Sequence, residues 1–96
     1  MGAQKLSQAE LAAALKELPG WSVTDGKLRR VFEFKDFSAA FAFMTRVALA
    51  AEKMDHHPDW SNSWNKVTVE LVTHSAGGLT ANDAGLARRM NEIFGA

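Results

Sequence analysis

The chain carries three histidines, all in its second half: the adjacent pair His56-His57, followed directly by Pro58, and a third at His74. Imidazole titrates near neutral pH and both donates and accepts protons, so grouped histidines suit general acid/base work. Neighbouring rings in a pair point different ways, which lets one face a pocket while the other packs or caps. Trp60 and Trp64 follow within a few residues and offer flat apolar faces that can stack on a heteroaromatic ligand. For one of them, ordinary core or edge-strand packing is the expected use. Glu52 lies one helical turn before His56, the spacing at which a carboxylate orients an imidazole. Asp83 opens a later helix, where capping of unpaired amides accounts for a carboxylate without any further role. A single surface histidine is ordinarily an inert solvated side chain; it is the grouping of three with two tryptophans that points to a site.

Other chemistries fit these residues less well. With no cysteine there is no disulfide framework, thiolate metal site or cysteine nucleophile. Three imidazoles can hold zinc with an open fourth position, but helical ligands sit at i and i+4, and adjacent residues seldom converge on one ion. Ser61, Ser63 and Ser75 lie near the histidines without the strand-to-helix elbow that activates a serine. Gly77-Gly78 lacks the rest of any phosphate-binding fingerprint and reads as a turn. Eleven Lys+Arg balance eleven Asp+Glu, whereas nucleic-acid modules usually carry a basic excess. No apolar run approaches the roughly 20 residues of a membrane span. The opening MGAQKLSQAE lacks the apolar core of a signal peptide, so a cytoplasmic protein that binds neither nucleic acid nor membrane is expected.

Ninety-six residues, 47% hydrophobic and 23% charged, suit a single folded domain over 1–96. Ser7 and Glu10 form a capping-box pair ahead of Leu11, Ala14, Leu15 and Leu18, which predicts a helix over about 8–17 that Pro19-Gly20 stops. Asp25-Gly26 joins two strand-like runs, Trp21 and Val23 before it and Leu28, Val31, Phe32 and Phe34 after it, into a hairpin. Asp36 caps a helix over about 37–54, which must end before Pro58 because the residue preceding a proline is pushed out of the helical region. A second hairpin is expected between Asp59 and His74, with its turn near Asn65-Lys66 and His74 at a strand end. Thr80 and Asp83 open a last helix that runs to about Phe94. The order αββαββα packs most economically as an α+β fold, a four-stranded antiparallel sheet with three helices packed on one face. In the second helix Ser38, Thr45, Arg46, Glu52 and Lys53 form a narrow polar stripe and the rest is apolar. That is more apolar surface than one sheet face covers, so a homo-oligomer is expected. Its many alanines, read alone, are no more than good helix formers.

Glu52, three residues, His56-His57-Pro58, five residues, Trp64, nine residues, His74, eight residues and Asp83 form a spaced pattern, and the segment Thr73 to Ala87 reads THSAGGLTANDAGLA. In both, the chain resembles the pterin-4a-carbinolamine dehydratases, with no departure at the motif positions and over essentially its whole length. The resemblance implies removal of water from 4a-hydroxytetrahydropterin to give quinonoid dihydropterin. That step recycles the pterin cofactor of aromatic amino-acid hydroxylases. It implies no metal or organic cofactor in the enzyme itself. By the same resemblance His56 and His74 do the acid/base work, His57 hydrogen-bonds and orients the pterin, and Trp60 or Trp64 forms its apolar wall. Glu52, Pro58 and Asp83 then belong to the ligand-orienting surroundings, and a tetramer is favoured over a dimer. The alternative is a non-catalytic protein-interaction or assembly module on the same fold. The intact histidine set counts against it, and dehydratase activity of the isolated protein separates the two.

Overall fold

The computed structural model describes residues 3–95. Ser7 and Glu10 close the expected capping box, each side chain accepting the other's backbone N–H at 3.1 and 2.8 Å, and start helix α1 (Gln8–Lys16). Asp25 and Gly26 both take left-handed conformation (φ 52° and 75°), the geometry that matches strand twist in a tight hairpin, and join β1 (Ser22–Thr24) to β2 (Lys27–Glu33). Asp36 accepts the Ala39 N–H at 2.8 Å and starts α2 (Phe37–Met54). Strands β3 (Asp59–Ser63) and β4 (Lys66–Leu71) make the second hairpin, and Thr80 with Asp83 caps α3 (Ala81–Phe94).

All pairings are antiparallel in the order β1-β2-β4-β3, so the two hairpins join through β2 and β4, with Leu28 opposite Leu71 and Phe32 opposite Val67. This register gathers Leu28, Phe32, Val67, Val69 and Leu71 on one face, all fully buried. Helix α2 covers that face with Ala40, Phe43, Val47 and Ala51, and α3 with Ala84, Leu86, Ala87 and Met90. Helix α1 packs Leu11, Ala14 and Leu15 against the same core. The α+β architecture with its helices on one sheet face is therefore the one expected from the element order.

Asn91 of α3 ties down the segment after α1. Its side-chain oxygen accepts the Trp21 indole N–H at 2.8 Å and an Arg30 N–H at 2.6 Å, and its amide donates to Pro19 O at 3.1 Å. The Arg30 guanidinium lies over the Phe32 and Phe94 rings at 4.3 and 5.0 Å, and burial there lowers its proton affinity below the ordinary arginine value.

Two local features differ from expectation. The second hairpin turns at Trp64-Asn65, one residue early, because the Asn62 side-chain amide spans the turn, donating to Trp64 O at 3.1 Å and Lys66 O at 2.9 Å. His74 is not at a strand end but begins a 3-10 turn (His74–Ala76) beyond β4. There the Thr73 N–H and C=O pair with Gly78 at 3.0 and 3.3 Å and close a short loop. On α2, Phe37, Phe41 and Met54 are exposed and Leu49 is 70% exposed, the surplus apolar surface read from the sequence. Among the described residues no helix is long and apolar enough to cross a membrane.

Phe32 sits at the centre of the core, with Phe43, Phe94 and Trp21 rings at 4.6, 5.1 and 5.9 Å. Truncating such a side chain costs about 3–5 kcal/mol, so Phe32→Ala is expected to lower the urea midpoint steeply without changing the slope of the transition. A midpoint equal to the unmodified protein's would show that the core lies elsewhere.

Candidate active site

Asp55, just past α2, adopts a left-handed conformation (φ 54°) that aspartate tolerates, and the His56 N–H returns to Ala51 O at 3.1 Å. The chain thereby turns back at the helix end, and Pro58 keeps the helix from resuming. On the other side, β4 stops at Leu71 and the closed loop from Thr73 to Gly78 begins. Between these two connections lies an open cleft of about 360 Å³, lined by residues 55–59 from one and 72–75 from the other. The volume falls within the range of small-molecule sites.

His56, His57 and His74 all line this cleft, and each faces a carboxylate. The His56 ring is 12% exposed and its Nε2 lies 2.7 Å from Oδ1 of Asp83, which is fully buried. Asp83 Oδ2 accepts the Thr73 hydroxyl at 2.7 Å and the Thr80 N–H at 2.9 Å. A carboxylate only accepts, so the proton in the short contact belongs to His56 Nε2. The other ring nitrogen, Nδ1, has no protein partner among the described residues and is left to the cleft. Asp83 therefore caps α3 through one oxygen and orients an imidazole through the other.

Glu52 does not orient His56, as the i,i+4 spacing suggested. Helix α2 ends before His56, and Glu52 Oε1 meets His57 Nε2 instead, at 2.8 Å and largely in solvent. His74 Nε2 lies 3.7 Å from Asp59 Oδ2, charge proximity rather than a hydrogen bond, and both side chains are exposed. Asp59, Thr73 and Thr80 escaped the sequence reading as site residues. Nothing local marks Asp59 or Thr73, since only the fold brings residue 73 to residue 83 and residue 59 to residue 74; Thr80 is marked by its spacing to Asp83, but only as a cap.

Pro58 lines the cleft beside the histidine pair. Trp60, on β3 opposite Val69, packs partly against the core and lines a neighbouring recess of about 240 Å³ with Asp59, Ser61, Thr68 and Glu70. Trp64 stands at the far turn of the hairpin, 66% exposed and outside the cleft. Among the described residues no three His, Asp or Glu side chains are grouped to hold a metal ion. The arrangement is one fixed imidazole with a free nitrogen and two solvent-facing imidazoles, disposed around space for a small ligand.

The family model described as Pterin 4 alpha carbinolamine dehydratase matches residues 4–93. A protein of Mesorhizobium japonicum is 61% identical over 99% of both chains, and one of Rhodopseudomonas palustris is 55% identical over 94% of this chain and 91% of its own. Both bear the name "Putative pterin-4-alpha-carbinolamine dehydratase". The crystal structure of a "transcriptional coactivator/pterin dehydratase" from Brucella melitensis matches this fold with a TM-score of 0.92 at 50% identity, over 96% of this chain and all of that one. With the fold, the motif spacing and near full-length identity in agreement, the chain belongs to the pterin-4a-carbinolamine dehydratase family.

Proposed function

We propose that the protein removes water from a 4a-hydroxytetrahydropterin in the cytoplasm, giving quinonoid dihydropterin, with histidines as acid and base. The observation that supports this best is the convergence of three imidazoles on one cleft, the first anchored by a buried carboxylate. In the reaction the N5 lone pair forms the C4a=N5 double bond as the C4a–O bond breaks. One proton must reach the departing hydroxyl to make water, and the N5 proton must leave. The two transfers balance, so no electron or external proton is consumed and no redox cofactor is called for. His56 and His74 fit the two transfers, because one ring from each connection can approach a bicyclic ligand from a different side. His57, paired with Glu52 at the rim, fits hydrogen bonding to the bound ring.

His56→Ala and His74→Ala are each expected to lower kcat on the order of 10²–10⁴-fold, read with enzymatically generated 4a-hydroxytetrahydropterin against the uncatalysed background. Unchanged kinetics in both variants and in the double variant would remove these rings from the mechanism. His57→Ala is expected to raise KM more than it lowers kcat, since a residue that binds ground state and transition state alike acts on KM. A large kcat loss at constant KM would move His57 into the acid/base pair instead.

We also propose that the apolar surface left on α2 by Phe37, Phe41 and Leu49 is covered by further copies of this chain in a homo-oligomer, with a tetramer favoured over a dimer. Leu49→Glu would place a carboxylate in that contact without a partner and is expected to release protomers of 10.5 kDa in light scattering. A monomer at micromolar concentration for the unmodified protein would end this reading.

A further inference from the structure

We infer that Thr73, with Thr80 behind it, is a positioning residue for His56 that acts through Asp83. Thr73 Oγ1 lies 2.7 Å from Asp83 Oδ2 and 2.8 Å from Thr80 Oγ1. Each hydroxyl owns one proton, and the carboxylate owns none to give. Thr73 therefore spends its proton on Asp83, and the contact between the threonines uses the proton of Thr80. Having donated, Thr80 Oγ1 accepts the Asn82 N–H at 3.1 Å. Counting protons thus fixes one direction of donation, from Thr80 to Thr73 to Asp83.

The arrangement has a mechanical result. Oδ2 is held by two donors, the Thr73 hydroxyl and the Thr80 N–H, which leaves Oδ1 turned to His56 Nε2. Thr73 is 7% exposed and Thr80 and Asp83 are fully buried, so the carboxylate has no solvent contact with which to replace a lost donor. The His56 ring, in turn, keeps its proton on Nε2 and its bare Nδ1 toward the cleft only while Oδ1 stays in place. The loop closed between Thr73 and Gly78 also carries His74, so the same short segment sets the one ring from behind and presents the other.

The kinetic part of this inference rests on the dehydratase reading; the hydrogen-bond order does not. Thr73→Val keeps the shape of the side chain and removes the donor. It is expected to turn the single Nε2–H tautomer of His56, followed by ¹⁵N NMR without substrate, into a mixture of tautomers. It should also lower kcat about tenfold with KM within about twofold, the loss expected when one buried hydrogen bond is left unmade. Thr73→Ser, which restores the hydroxyl, is expected to recover both readouts. If the valine variant does not fold, the smaller Thr73→Ala takes its place with the same expectations. A folded Val or Ala variant that keeps the single tautomer overturns the inference whatever its melting temperature, and so does a Ser variant that fails to restore it. Absence of dehydration by the unmodified protein would count against the proposed reaction alone, because the tautomer comparison is read without turnover.

Discussion

A carboxylate cut off from water must find its hydrogen bonds inside the protein, and Asp83 is such a group. Its partners come from the segment just after α2, the loop after β4 and the residue that caps α3. The unpaired amides of the α3 terminus add a favourable field for the negative charge. A further segment holds the arrangement from outside, where Lys5 bridges to Thr80 and the Leu6 N–H bonds Leu79 O at 2.8 Å. Satisfying one buried charge therefore brings three parts of the chain together, with a fourth bracing them, and the imidazole that completes the set lines the cleft.

The sheet decides why the other two histidines are there as well. Its buried face fixes β4 against β2, and the β3–β4 register sets Asp59 opposite Glu70. Residues just before β3 and just after β4 then lie at the same end of the hairpin, so His57 and His74 line one cleft although the sequence separates them. By the same geometry Trp64, at the turn of that hairpin, is carried to its other end.

Much of this was legible in the sequence because it rests on local chemistry. The capping residues Ser7, Asp36 and Thr80 and the Asp25-Gly26 turn act within a few positions of themselves, and the elements they open or join lie where expected. The spaced histidine motif was legible for the same reason, as a pattern of residue types. What the sequence withheld is geometry that no pattern of residue types marks, some of it local and some between distant partners. The Asn62 brace shifted the second turn, the left-handed Asp55 handed Glu52 to His57 in place of His56, and the pairing of Thr73 with Gly78 drew His74 out of the strand. Asp83 shows the boundary within one residue: its capping oxygen could be read from the spacing to Thr80, whereas its bond to His56 needed the fold.

The three rings also differ in how much freedom they keep. His56 is packed and bonded, whereas His57 and His74 are 57% and 78% exposed, with only solvated carboxylates beside them. Exposed side chains exchange among rotamers in water, and immobilising one against a ligand costs about 0.5–1.5 kcal/mol. One ring of the cleft is thus held in place by packing and a hydrogen bond before anything binds, and the other two are ordered by an occupant they bond. That ordering cost is subtracted from the affinity for an occupant and is recovered when the occupant departs.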